Sequence, residues 1–423
     1  MARKMKDSDI EWIGEIPEGW ELIKAKYLFS QRNEKGSPTL VLLSPTQKYG
    51  VIPQSQLEGV VQVKESTDLR AFKTIHIGDF VISLRSFQGG FEFSNYEGVC
   101  SPAYQVFHAT KDLSNDFFRY LFKSDGFISK INSLTVGIRE GKNIQYWDFS
   151  NMLLAVPPKE VQIRSAQYLN AKCSEIDTML SKTRSSIEEY KKLKQAVITQ
   201  AVTKGVRGER EMKNSGVEWI GEIPAEWSSC KLKSIASEIG DGLHGTPNFD
   251  DNGDVFFING NNLGGEYVEP RADTKRINSE EFFKYTRPFF STQTIMISLN
   301  GSYGKVSLYK NFPMLLGKSA GYITLLPSID CRYIKYYLSS TPSQIMMTLS
   351  LNGTTIPNLS LNTLRNFSIF LPVLCEQKEI AAYLDAKCAE IDKLIAKKEQ
   401  LVKELESYKK SLIYEVVTGK REV

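Results

Sequence analysis

Apolar residues recur at spacings of three, four and seven through two separate stretches of the chain, about residues 161–204 and 376–420. In the first stretch they are Ile176, Leu180, Ile187, Tyr190, Leu193, Val197 and Ala201; in the second, Ile391, Ile395, Val402, Leu405, Tyr408, Leu412 and Val416. This spacing predicts two α-helices, each with one broad apolar stripe and with Lys and Glu on the remaining face. Roughly 27 uninterrupted helical residues span about 40 Å, longer than the reach of a module of about 130 residues. The two stripes are therefore expected to bury against each other within one chain, as an antiparallel coiled coil.

The two stretches are also copies. Gln-Tyr-Leu-Asn-Ala-Lys-Cys-Ser-Glu-Ile-Asp (167–177) returns as Ala-Tyr-Leu-Asp-Ala-Lys-Cys-Ala-Glu-Ile-Asp (382–392), and the Cys173 to Cys388 shift is 388 − 173 = 215 residues. Glu-Trp-Ile-Gly-Glu-Ile-Pro at 11–17, followed by Trp20, recurs at 218–224 with Trp227, a shift of 219 − 12 = 207. Ser83 and Ser298, in the matching segments Val-Ile-Ser-Leu and Met-Ile-Ser-Leu, already stand 215 apart, so the length difference lies before Ser83. A repeat on this scale predicts two similar halves related by a pseudo-two-fold axis.

Between the helices the pattern shortens to strands and turns. Expected strands are 39–44, 50–53, 80–84 and 104–107 in the first half, and 255–258, 294–299 and 321–326 in the second. A helix is expected over 115–122 with Ser114 as N-cap, and another from Cys331 to Leu338. Pro157 and Pro372 close the two interiors, where a fixed φ and a missing donor suit a boundary. Each half is thus a mixed α/β (α+β) module, and like frames with unlike interiors suggest one scaffold carrying two recognition surfaces.

Composition adds little: 423 residues, 41% apolar and 24% charged, with a net charge of +4, suit a soluble globular chain and permit an acidic partner without demanding one. The six cysteines lack Cys-x-x-Cys spacing and nearby histidines, which disfavours disulfides and zinc and favours a reducing cytoplasm. Neither a secretory segment nor an apolar run long enough for a membrane span is visible. Gly-Lys-Ser at 317–319 is not a phosphate loop, since position 312 is Phe. Asn248, Asp250, Asn252 and Gly253 have calcium-loop spacing, but Asn259 replaces the closing Glu, which leaves a turn. With three scattered histidines and no Gly-x-Gly-x-x-Gly turn, no catalytic residues, metal site or bound cofactor are expected in this chain.

The ordered, duplicated set of motifs resembles the specificity subunit of type I restriction-modification enzymes. It comprises the Glu-Trp-Ile-Gly-Glu-Ile-Pro segments, Gly-Ser-Tyr-Gly-Lys-Val (301–306), Asn-Leu-Ser-Leu-Asn-Thr-Leu (358–364), the Leu-Pro-x-x-x-Glu-Gln-x-x-Ile-Ala run (371–381), Asp-Gly-Leu-His-Gly-Thr-Pro (241–247) and the Glu-Ile-Asp helices. The first half departs from it at Val161-Gln162 and at Arg85-Ser-Phe-Gln-Gly-Gly, so the halves should read different bases. The resemblance implies target-recognition domains at 21–158 and 229–373, conserved helical regions at 159–206 and 374–423, an N-terminal repeat segment at 1–20 and its second copy with a linker at 207–228. It implies a non-catalytic DNA-reading subunit for a bipartite target, with the helices setting the spacer. Its partners would be double-stranded DNA, two methylation subunits using S-adenosylmethionine, and motor-nuclease subunits using ATP and Mg2+, in a prokaryotic cytoplasm with no membrane contact. Two rivals are a stand-alone nuclease or methyltransferase, disfavoured by the missing motifs, and a structural coiled-coil adaptor, which leaves the α/β interiors unused.

Residue types that read base edges or hold phosphates in Gly-bearing loops supply the DNA-binding candidates. In the first half these are Arg85, Ser86, Gln88, Arg139, Lys142 and Asn143. In the second they are His244, Thr246, Asn261, Asn262, Asn300, Ser302, Tyr303, Lys305, Asn352, Thr354 and Thr355. Each could equally be an ordinary solvated loop residue. Helix pairing is assigned to Ile176, Leu180, Ile187, Tyr190, Val197, Ile391, Ile395, Val402, Leu405 and Leu412.

Overall fold

The computed structural model describes residues 3–57, 68–83, 90–134, 144–285, 290–351 and 357–423. The chain falls into two compact units, residues 1–184 with 400–423, and residues 185–399.

In the first unit an antiparallel hairpin of β1 (Met5–Asp7) and β2 (Glu15–Pro17) precedes β3 (Glu21–Lys24). Next come β4 (Phe29–Arg32), β5 (Leu43–Thr46), β6 (Gly50–Pro53), β7 (Lys73–Ile75), β8 (Phe80–Ile82), β9 (Phe91–Phe93), β10 (Gly98–Cys100) and β11 (Gln105–Ala109). Four of these form an antiparallel sheet in the order β4-β11-β8-β9. Helices α1 (Asn115–Leu121), α2 (Asp125–Ser133) and α3 (Tyr146–Ser150) follow, and β12 (Leu153–Val156) returns to pair with β3. Ser114 caps α1, its hydroxyl accepting the Phe117 N–H.

The sheet is buried on both sides, so its strands read as continuous apolar runs. Phe80, Ile82 and Phe107 face a core with Phe117, Phe118, Phe122, Phe127 and Phe149 from the helical segment. Each fully buried phenylalanine contributes roughly 1.5–3 kcal/mol, so stability concentrates on this side. Val81 and Val106 face a smaller core with Leu43, Val51, Ile75 and Cys100. The strand expected over 39–44 begins only at Leu43. Ser37 and Pro38 start a turn, with the Leu40 N–H bonded to the Ser37 carbonyl, so turn chemistry overrides the apolar run Leu40–Leu42.

Helix α4 (Lys159–Lys204) is one 46-residue element that starts in the first unit and ends in the second. The second unit continues with β13 (Met212–Asn214), β14 (Glu222–Pro224), β15 (Ser228–Lys231), α5 (Leu232–Ile235), β16 (Ala236–Asp241), β17 (Val255–Ile258), β18 (Arg276–Ile277) and α6 (Ser279–Phe283). Then come β19 (Thr294–Ser298), β20 (Val306–Leu308), β21 (Met314–Leu316), β22 (Ala320–Leu325), α7 (Cys331–Ser339), α8 (Thr341–Leu349), α9 (Leu361–Arg365) and β23 (Ser368–Leu371). The chain ends on the 44-residue α10 (Leu374–Val417).

The second unit repeats the frame of the first. Its sheet has the order β16-β22-β19-β20, its hairpin is β13 with β14, and β15 pairs with β23 as β3 does with β12. Ile295, Ile297 and Ile323 face the helical core with Tyr333, Tyr337 and Leu338. Met296 and Tyr322 face a second layer with Ile258 and Leu316. That second layer is where the units part company. In the first it is the pairs β5-β6 and β10-β7; in the second it is the three-stranded sheet β18-β17-β21.

The long helices pair antiparallel inside each unit. In the first, Lys409 bonds Asp177 at 2.6 Å and Arg184 bonds Glu406. In the second, Lys194 bonds Asp392 at 2.6 Å. Asp177 and Asp392, like Lys194 and Lys409, are equivalent positions of the repeat, so the same ion pair occurs once per unit. Along the seam Ile176, Leu180, Ile187, Ile391 and Leu412 are buried, and Tyr190, Val197, Ile395, Val402 and Leu405 half-buried. Leu193 and Tyr408 do not join the stripe: they are 48% and 49% exposed. Leu193 lies six residues past Ile187, about 240° around the helix, and the seam passes instead through Lys194 and Ile198. Both helices are also longer than the roughly 27 residues expected, because they continue into the ends that carry the hairpins.

Those hairpins explain the repeated tryptophan motif. Ile13, Ile16 and Trp20 pack in one core with Leu412, Val416 and Val417 at the end of α10. Ile220, Ile223 and Trp227 do the same with Ile198, Ala201 and Val202 at the end of α4. Gly14 and Gly221 both have φ of +69°, a left-handed turn that favours glycine. A second device is a buried glutamine. Gln162 accepts the Ser114 N–H at 2.9 Å and donates to the Pro157 carbonyl at 2.9 Å. Gln377 accepts the Asp330 N–H at 2.9 Å and donates to the Pro372 carbonyl at 2.8 Å. The neighbouring Glu376 is specific to the second unit because Arg210 meets it there at 2.6 Å; Val161 holds that place in the first.

Candidate nucleic-acid interface

The second unit gathers several strand ends into one rim. The ends of β16, β17, β19 and β21 meet the starts of β20 and β22, and backbone bonds mate their loops. The Gly242 N–H donates to the Ala320 carbonyl at 3.0 Å, Leu243 to Leu316 at 2.7 Å, Gly317 to Ile258 at 2.9 Å and Leu299 to Ser319 at 2.9 Å. Side chains complete the latch. The Ser319 hydroxyl accepts the Gly260 N–H at 3.1 Å and donates to Asn259 Oδ1 at 3.3 Å. Gly317 must be glycine, since a Cβ there would stand 2.5 Å from Asn259 Oδ1 and 2.8 Å from the Phe257 ring. Such loops hold their polar groups in place before any ligand arrives, which lowers the ordering cost of binding.

The β19–β20 turn carries Gly301 and Gly304 at φ of +71° and +73°. The Ser298 hydroxyl accepts the Lys305 N–H at 2.9 Å, and the Ser298 N–H reaches the Lys305 carbonyl at 2.9 Å. In the first unit the Ser83 N–H reaches the Gly90 carbonyl at 2.8 Å. The two bonds are displaced by the same 215 residues and lie at equivalent places on equivalent sheets.

Most candidates from the sequence that fall among the described residues sit on this rim. His244, Thr246, Asn261 and Ser302 are exposed, with His244 Nε2 2.7 Å from Asp241. Asn300 is half-buried and donates to the Lys318 carbonyl at 3.3 Å. Lys305 is half-buried with its stem against Gly264. Two candidates have internal work. Asn262 accepts the Asn259 N–H at 3.0 Å and donates to Thr274 at 2.8 Å, which staples the turn beside Asn261. The Tyr303 hydroxyl meets that of Thr348 at 3.1 Å. Arg85, Ser86, Gln88, Arg139, Lys142, Asn143, Asn352, Thr354 and Thr355 lie outside the described residues; Pro357, just after the last of these, accepts the Gly301 N–H at 3.3 Å.

Two exposed cations on the same rim were not singled out by sequence. Lys318 sits at the tip of the β21–β22 loop, within the Gly-Lys-Ser run that does not form a phosphate loop. Lys275 pairs through its carbonyl with the Phe257 N–H at 2.9 Å, and its ammonium lies 4.2 Å from the Phe249 ring centroid. The loop bearing His244 and Thr246 is anchored from below by Glu281, which accepts the Asn248 N–H and the Tyr285 hydroxyl, each at 2.9 Å. The Lys284 ammonium, then the Asn248 N–H, hold the Glu281 carboxyl down to about 2. Among the described residues no cluster of three His, Cys, Asp or Glu side chains is placed to hold a metal ion, and no helix is long and apolar enough to cross a membrane. The rim offers amide, hydroxyl, imidazole and ammonium groups, which suit hydrogen bonding to base edges and phosphates.

One α/β frame used twice on a paired-helix scaffold, each time under a different loop-bearing layer, defines a tandem recognition protein. Residues 224–404 match the family described as the type I restriction modification DNA specificity domain. The chain is 26% identical to the type I restriction enzyme MjaVIII specificity subunit of Methanocaldococcus jannaschii, over 96% of this chain and 93% of that one. It is 22% identical to the EcoBI specificity subunit of Escherichia coli, over 64% of this chain and 58% of that one. A solved chain from work on assembly and conformational transition of the type I restriction-modification system shares the fold, with a TM-score of 0.73 at 16% identity, covering 95% of this chain and 98% of that one. The HsdS subunit of Thermoanaerobacter tengcongensis does so with a TM-score of 0.53 at 17% identity, covering 96% and 98%. Its 224–404 segment thus matches the DNA specificity domain of type I restriction-modification enzymes, and along nearly its whole length the chain is similar to specificity subunits of that class.

Proposed function

We propose that this is the non-catalytic DNA-reading subunit of a type I restriction-modification complex, in which the loop rim of each unit reads one half of a bipartite duplex target. The observation that carries this reading is the repeated frame under two unlike covering layers, because packed frames are kept while loops carry specificity. The long helices set the spacer between half-sites. Two methylation subunits using S-adenosylmethionine dock on the outer helix faces, and motor-nuclease subunits using ATP and Mg2+ join them on cytoplasmic, nucleoid DNA. Support for docking comes from exposed apolar positions that the repeat duplicates: Met179 with Leu394, at 52% and 37% exposure, and Leu193 with Tyr408. The methylation subunits turn the target adenine out of the duplex, since chemistry on a stacked base is sterically closed.

The test is selection of a random duplex library by the chain reconstituted with its methylation subunits. The expected result is one enriched split motif; a library without one would refute the proposal. Inserting one helical turn of four residues near Glu188 should lengthen the spacer while both half-sites stay the same. Arg85→Ala should relax a single half-site.

A further inference from the structure

Lys275 and Lys318 stand on the rim of the second unit next to Thr274 and Ser319, which both bond to the turn around Asn261. Lys275 is joined to that turn through its neighbour Thr274, whose hydroxyl accepts from Asn262 at 2.8 Å. Its ammonium is braced over Phe249 at 4.2 Å, and Phe249 rests on Phe257 with centroids 5.4 Å apart. Lys318 is held through its backbone, between the Asn300 amide on its own carbonyl and the Ser319 latch to Gly260 and Asn259. Both side chains are exposed, and neither makes an ion pair with a carboxylate among the described residues. The arrangement gives two cations on stiff supports, each beside an element that carries an amide side chain.

A lysine is a point charge with no planar fork. It suits a phosphate better than a base edge, whereas Asn makes bidentate contacts to adenine. We propose that Lys275 and Lys318 are positioning residues that grip the phosphodiester backbone and fix the register of the rim, leaving Asn261 and Asn300 to meet base edges. This rests on the reading of the rim as the DNA-binding surface. The contribution of the two lysines is sequence-independent, and each neutralised phosphate releases condensed counterions. Each lysine therefore steepens the salt dependence of binding, by about 0.9 in the slope of log affinity against log salt.

The experiment uses the full chain in complex with its methylation subunits and a duplex bearing the motif that the complex selects. Affinity is measured from 50 to 200 mM salt for the wild type, Lys275→Ala, Lys318→Ala, the double variant and both Lys→Arg variants. Each alanine variant should bind more weakly at low salt and lose about 0.9 from the slope, so its affinity falls about 3.5-fold less across that fourfold salt range. The selected bases should stay unchanged, and arginine should restore the slope. Unchanged slopes in the double variant, or an altered base preference, would overturn the assignment. Thermal melting guards against misfolding, and a variant that melts early is replaced by Lys→Gln. If the wild-type complex selects no split motif, the proposed function fails instead, which is a separate outcome.

Discussion

Replacing Gln377 with methionine keeps the volume of a side chain that is 2% exposed, but it removes both ends of a buried bridge. The Asp330 N–H and the Pro372 carbonyl, at 2.9 and 2.8 Å in the native bridge, lose their partner. Each orphaned buried group costs about 1–3 kcal/mol, while the near-isosteric swap adds little strain. A total of roughly 2–6 kcal/mol follows. The loss falls on the junction where α7, capped by Asp330 through the Arg332 and Tyr333 N–H groups, meets the start of α10. Hydrogen exchange of the full chain, read by mass spectrometry, should show protection in 330–340 and 372–384 falling by at least roughly 30-fold. Exchange in the first unit should not change. Gln162→Met should give the mirror result, with 114–122 and 157–169 loosened. Exchange within threefold of wild type at the junction, or an equal rise in both units, would refute the idea that this glutamine is a local staple.

Acid should act through Glu281. Its carboxyl is held below the ordinary ~4.3, so the stability it contributes is present above that value and lost as pH falls through about 2. The difference in urea midpoint between Glu281→Gln and wild type should accordingly be largest near pH 6 and shrink toward pH 2.5; a difference independent of pH would count against the anchor. Gly317→Ala should force the β21–β22 loop off Asn259 and Phe257, costing about 1–3 kcal/mol and selectively weakening binding to duplexes that retain only the second unit's half-site. Equal binding of both half-sites by that variant would show that the loop latch is dispensable.

The sequence alone determined the repeat, the paired helices, the Ser114 cap and most of the strands. Those features are local: period, capping chemistry and self-similarity are written in neighbouring residues. It also placed several second-unit candidates, from His244 to Lys305, on what proves to be one rim, because turn residues and strand ends are legible from spacing. Only the tertiary structure showed which loops share that rim, since the partners of Ser319 lie some 60 residues away in Asn259 and Gly260. It put Lys275 and Lys318 beside the candidates, gave Asn262 a structural bond, and turned Leu193 and Tyr408 outward. It also gave the tryptophan motif its work, as a hairpin packed against the end of a helix that, for the first copy, lies about 400 residues later in the chain. Such contacts leave no periodic trace, because burial against a distant element depends on how the chain folds back and not on the order of residues nearby.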